Sequence, residues 1–336
     1  MTRMLAILGL FLLSLHPAWA QKTQIFLAHA QPQDPTGDTV AAVAEEFRKI
    51  LDTESDGRLQ VEIFPDGILG GNRDMTVLTE KGIIQSALVT VGGVTSLYPP
   101  LMVTQLPFAF DTIADAHATL DGPFGIAMAL DFKARTKLTL MGFADPGGFH
   151  VLTNLDRQVE TPDDMWGMKL RAIPGFAPLN AMIEAVKARP VDVSSRDVLA
   201  MLSTGALDGQ FSPPSVIMAS GFDNVQKNAT VLNVLYSPYI WVFNSASLNA
   251  LSPEDRALVH RAAQRALDAG RQMAERLDGS EQGLLGLTKR MRVITLNASA
   301  RRAFRDVMQP PVQDAIIDAL GDDQPWMDRF LSSLPH

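Results

Sequence analysis

The chain has 336 residues, of which 46% are apolar and 20% charged, with a formal charge of −8 and no cysteine. That length points to two domains with enough core to fold without cross-links. The composition excludes disulfides, thiolate catalysis and Cys-ligated metals, and an acidic chain without a basic cluster argues against nucleic acid as a partner.

Residues 1–20 read as a secretory signal peptide. Arg3 supplies the positive start, Met4 to Leu15 the apolar run, and Ala18-Trp19-Ala20 a small-x-small cleavage site. The alternative is a membrane anchor, for which the run is short. The mature chain is expected to begin near Gln21. A disulfide-free exported chain suits a bacterial periplasm.

Thr23 to Ala28 is a strand candidate. Asp38 then precedes an amphipathic helix with Val40, Val43, Phe47 and Ile50/Leu51 on one face. Leu59 to Phe64 alternates with period two, as a strand does. Pro65-Asp66-Gly67 leads through Gly70-Gly71-Asn72 into a helix carrying Met75 and Leu78. Ile84 to Val91 is a further strand ending at Gly92. This β-α-β-α-β order predicts an α/β domain, whose ligands sit beyond the carboxyl ends of the strands. Asn72, Val91 and Gly92 fall in such places. Leu106 to Phe110 reads as a packed aromatic crossover or a ligand contact. Leu138 to Phe143 is a strand, and Asp145-Pro146-Gly147-Gly148 a turn or hinge into a second domain.

There Val151 to Asn154 is strand-like. Thr161-Pro162 opens a helix, Met168 to Pro174 is a short apolar run holding Lys169 and Arg171, and Phe176 to Ala188 is a helix. Pro190 to Val193 is a strand, and Ser194 with Asp197 caps a helix that Gly205 ends. Val231 to Val234 and Tyr239 to Phe243 are strand candidates, the latter back in the first domain. From Ser252 the row Leu258, Ala262, Ala266, Ala269, Met273, Leu277 predicts one helix of about 25 residues. Val293 to Leu296 closes the strands, and Ala300 to Leu320 is mostly helical. The division expected is 21–147 plus about 236–275 for the first domain, and 148–235 plus about 276–336 for the second.

No HExxH pair, nucleophile elbow, phosphate loop or dinucleotide fingerprint occurs, so no metal, cofactor or catalytic residue is expected. Arg171 draws attention instead. A guanidinium in a buried strand needs an anion, and its rigid fork of donors suits a carboxylate. An internal salt bridge would satisfy it equally well.

The order of GGFHVLTN, TPDDMWGMKLRAIP and PVDVSSRDVLAMLSTGALDGQ resembles the extracytoplasmic solute receptors of TRAP transporters, the DctP family. The likeness runs from about Gln24 to about Arg265. It implies a two-domain, periplasmic-binding-protein-like (type II-like) α/β fold with a hinge, a long domain-spanning helix and a ligand cleft between the domains. It implies an organic acid as ligand and membrane permease subunits as partners. Arg171 matches the family's carboxylate-pairing arginine. His150 stands where many members carry a second arginine, Phe211-Ser212 after Gln210 where Glu-Asn is frequent, Ser195 where an aromatic is common, and Val234 where a histidine is common. These departures make the expected pocket less cationic. They favour a monocarboxylate with an apolar or aromatic body, walled by Phe149, Phe211 and Trp241. A receptor feeding a signalling protein, or an exported enzyme on the same scaffold, are the alternatives.

Overall fold

The computed structural model describes residues 22–335. The expected signal peptide lies outside the described residues. In chain order, β1 (Thr23–His29), α1 (Thr39–Glu54), β2 (Leu59–Phe64), α2 (Asn72–Glu80), β3 (Ser86–Thr90) and the one-turn α3 (Val91–Val94) come first. A 3-10 turn over Pro99–Gln105 leads to α4 (Ile113–Asp121), α5 (Pro123–Arg135) and β4 (Leu138–Ala144). Then follow β5 (Val151–Asn154), β6 (Lys169–Ala172), α6 (Ala177–Ala185), β7 (Arg189–Asp192), α7 (Val198–Ser203), β8 (Gly209–Ser212), α8 (Pro214–Ala219) and β9 (Asn228–Val231). The chain ends with β10 (Tyr239–Asn244), α9 (Ser245–Ala250), α10 (Pro253–Asp278), α11 (Leu284–Arg290), β11 (Arg292–Thr295), α12 (Ala298–Leu320) and α13 (Pro325–Ser333).

The strands form two sheets. One has the order β2-β1-β3-β10-β4, with β1 parallel to β2 and β3, and β10 antiparallel to its neighbours. The other runs β11-β9-β5-β8-β6-β7. The inserted strand β10 is where the chain returns to the first sheet.

The first sheet is covered by α1 and α10. Asp38 starts α1 by accepting the Ala41 N–H at 2.8 Å, and Val40, Val43, Phe47 and Leu51 are buried along one face. The period-four row of α10 is buried too, and its small residues bring it close to α1. At Gly270 a Cβ would collide with Val43. Phe47 meets Trp241 edge-on at 4.9 Å. Burying one such side chain contributes about 2–3 kcal/mol.

The chain passes between the sheets three times, the last by way of α10 and α11; the other two passages, 145–150 and 232–238, lie side by side. They pair with each other: His150 N–H donates to Leu235 O at 2.8 Å and Val234 N–H to His150 O at 3.2 Å. Gly147 and Gly148 have φ of +90° and +108°. A side chain at Gly147 would also collide with Ser215 Oγ. A buried cluster pins the crossing. Asp145 Oδ2 accepts from the Tyr236 hydroxyl at 3.1 Å and lies 2.9 Å from His117 Nε2, while Oδ1 accepts the Gly147 N–H at 2.7 Å.

Several expectations need correction. The strand expected at Val231–Val234 is Asn228–Val231, because 232–235 is used up in the crossing. Thr161 opens only a 3-10 turn, Pro162–Met165, which Gly167 follows at φ +72°. Val91 and Gly92 belong to α3 rather than to the strand. The second domain is expected to include 276–336, yet α13 packs beside the first sheet, where Trp326 and Phe330 meet Phe124 of α5. No helix among the described residues is long and apolar enough to cross a membrane.

Candidate functional site

Between the sheets lies a cleft with about 500 Å³ of empty space, counting its open mouth. Its polar edge is set by β6. Period-two alternation buries Leu170 and Ala172 and turns Arg171 to the other side. Arg171 Nε donates to Val193 O at 3.3 Å. Among the described residues, no carboxylate comes within ion-pair distance of its guanidinium. Burial lowers its pKa to about 10, against the opposing pull of Tyr239 and Asp192. The neighbouring cation, Lys169, is accounted for: Nζ donates to Gly205 O at 2.8 Å and faces Asp208.

His150 lines the same cleft from the start of β5. Burial, and then the charge of Arg171, push its pKa down to about 4. The imidazole is therefore neutral at neutral pH, and the site carries one fixed positive charge. Phe211 of β8 with Ile173, Phe176, Leu179 and Met182 makes the wall apolar. Gly92 of α3 stands across from it: a Cβ there would sit 3.5 Å from the Phe176 ring and 3.7 Å from Ile173. The opposite side is closed by Gln105, Leu235 and Ser237. Sequence reasoning had not put Ile173, Phe176, Leu179 or Met182 at the site, and it missed these three as well. They lie in a 3-10 turn and an irregular connection, which carry no periodic signal.

The remaining expected site residues sit elsewhere. Gln210 is buried, donating to Thr153 Oγ1 at 2.9 Å and accepting from Ser212 Oγ at 2.5 Å. Asn72 uses Oδ1 to accept the Thr90 N–H at 3.1 Å, holding α2 to the end of β3. Val91 is in the core, and Ser195 is exposed on a 3-10 turn. Val234 is fully buried in the crossing. Phe149 and Trp241 are not cleft walls. Phe149 packs edge-on against Tyr236 at 6.0 Å. Trp241 shares a face of β10 with Tyr239 and Phe243, packs under α1 and α10, and donates Nε1–H to Ser86 Oγ at 2.8 Å.

Among the described residues, no group of three or more His, Asp or Glu side chains is placed to hold a metal ion. What the cleft offers is a desolvated cation, a neutral imidazole and an apolar body, an arrangement that holds an organic anion.

Two α/β units joined by paired crossing segments, with Arg171 the one lysine or arginine lining the cleft among the described residues, fit a solute-binding receptor. The chain belongs to the bacterial extracellular solute-binding proteins of family 7, the DctP family, whose pattern matches residues 29–318. Similar proteins include the 2,3-diketo-L-gulonate-binding periplasmic protein of Escherichia coli K12, 27% identical over 83% of this chain and 84% of that one. The C4-dicarboxylate-binding periplasmic protein of Rhodobacter capsulatus is 25% identical over 91% of this chain and 90% of its own. Among solved structures, a TRAP periplasmic solute-binding protein from Bordetella, with density assigned to pantoate, superposes with a TM-score of 0.81 at 26% identity. The match covers 94% of this chain and 100% of that one. The chain is thus a solute receptor of the TRAP type, and the family and fold neighbours are receptors rather than enzymes.

Proposed function

We propose that this receptor works in the periplasm, binding a monocarboxylate in the cleft with Arg171 as its anchor and handing it to the permease subunits of a TRAP transporter. One observation carries the reading: Arg171 is a half-buried, desolvated guanidinium with no carboxylate partner among the described residues, turned to a cleft lined mainly by apolar side chains. A cation so desolvated needs an anion to complete it. Because His150 is neutral, the cleft balances one negative charge rather than two. Organic acids in the names of the relatives, diketogulonate and C4-dicarboxylates among them, support the ligand class. Their charges and hydroxyl counts differ, so the body of the ligand is read from this cleft and not from theirs.

The test is mass spectrometry of small molecules released from the purified protein, followed by a thermal-shift screen of carboxylates. A recovered monocarboxylate that raises the melting temperature supports the proposal. A recovered cation or neutral sugar, with no acid shifting the melt, refutes it.

A further inference from the structure

We propose that Gln105 and Ser237 form a second, neutral reading point, so that the ligand is a monocarboxylate carrying one uncharged hydrogen-bonding group, a hydroxyl or carbonyl, on an otherwise apolar body. The inference rests on Arg171 being the carboxylate anchor. Both residues line the cavity that Arg171 and His150 line, from the first sheet's side. Gln105 ends the turn Pro99–Gln105 and is 5% exposed. Ser237 sits in the crossing connection and donates its hydroxyl to Gln105 Oε1 at 3.0 Å.

The orientation of the amide is fixed by its neighbours. Thr104 Oγ1 donates to Leu101 O at 2.8 Å, so toward Gln105 it is left only to accept, which it does from Nε2 at 3.3 Å. Oε1 is therefore the atom that faces Ser237. A primary amide has two N–H groups. Gln105 uses one, and the other has no partner among the described residues. Ser237 has given up its only hydrogen, and its oxygen keeps accepting capacity. A free donor thus stands beside a free acceptor in a cleft whose lining apart from Arg171 and His150, namely Ile173, Phe176, Leu179, Met182, Phe211 and Leu235, carries apolar side chains. A hydroxyl answers both groups, and a carbonyl answers the donor. A second carboxylate would be buried against a neutral pair at a large desolvation cost, which sets dicarboxylates aside.

The alternative is that the pair only straps the turn to the crossing connection. Calorimetry on matched probes separates the two. Hexanoate is compared with its 2-, 4- and 6-hydroxy derivatives, and phenylacetate with its 3- and 4-hydroxy derivatives. In the wild type, at least one hydroxylated probe is expected to bind about 10-fold or more tighter than its parent, the weight of one hydrogen bond to a buried group that is otherwise unpaired. In Gln105→Met or Ser237→Ala that ratio falls to near one. Ser237→Ala deletes a single oxygen and keeps the test decisive where Gln105→Met does not fold. Ratios near one in the wild type, or a preference surviving both substitutions, overturn the inference. Arg171→Met tells its failure from that of the anchor. If parents and hydroxylated probes bind Arg171→Met as they bind wild type, or none binds wild type, the carboxylate reading itself is wrong.

Discussion

Replacing Asp38 with Asn gains stability at neutral pH, although it changes only one atom and a charge. The Asp38 side chain is 5% exposed. Burial pushes its pKa up to about 6, in spite of hydrogen bonds from the Ala41 N–H, the Gln31 amide and the Val40 N–H, which pull the other way. A carboxyl whose folded pKa is raised holds its proton in the folded state where the unfolded chain has lost it. Stability therefore falls as pH rises from about 4 to about 6, and the full cost is present above that. The shift from 3.8 to about 6 corresponds to about 3 kcal/mol at 1.36 kcal/mol per unit. Asn keeps the cap, because its Oδ1 still accepts the Ala41 N–H. Its amide meets Gln31, whose own amide turns to present oxygen. Asp38→Asn is expected to melt about 5–10 °C above wild type at pH 7.5 and to match it near pH 3.5. Melting curves by circular dichroism across that range read the difference. A variant less stable than wild type at pH 7.5, or a difference that does not change with pH, refutes the reasoning.

Three further outcomes are expected. Tyr236→Phe removes a hydrogen bond to the buried Asp145 carboxylate and should cost about 1–3 kcal/mol in urea unfolding, whereas a cost within about 0.3 kcal/mol would mean that the cluster does not hold the crossing. Gly270→Leu forces a side chain into Val43 where α10 meets α1, and a loss of about 2 kcal/mol or more is expected; unchanged melting would mean the helices have room to spare. His150, held near pKa 4 by burial and Arg171, gains a neighbouring negative charge when a carboxylate arrives. Its pKa then rises, binding takes up protons, and affinity increases as pH falls towards about 5. Calorimetry near pH 5.5 in buffers of different ionisation enthalpy detects that uptake, and its absence places His150 away from the anion.

The parts of the molecule with strong periodicity were legible in the sequence. The row from Leu258 to Leu277 gave α10 because only one helical face is buried there. Arg171 stood out as a cation between Leu170 and Ala172, but that pattern left an internal salt bridge equally open, and only the family resemblance pointed it at a ligand. Strand β9 was not legible, because Asn228 and Thr230 are buried polar residues whose Nδ2 and Oγ1 donate to Leu155 O and Val159 O across long separations. Local pattern cannot show such bonds. Trp241 was misplaced for a related reason. Its alternation gives a face, but only the sheet order tells whether that face meets the cleft or α1. Gln105 and Ser237 belong to irregular backbone, where position is decided by tertiary contacts alone. The helices α4 and α5 drew no expectation at all, although Thr112 with Asp115 forms a capping box at the first of them.

The central claim is that Arg171 holds a carboxylate. Isothermal calorimetry of wild type, Arg171→Met and Arg171→Lys against the acid recovered from the purified protein tests it most directly. Removing one member of a buried, charge-assisted pair costs about 2–5 kcal/mol, so Arg171→Met should bind about 30-fold to several-thousand-fold more weakly. Lysine should restore only part of this, since it lacks two parallel donors. If Arg171→Met is folded and binds the acid as tightly as wild type, Arg171 is a structural cation and the anchor lies elsewhere.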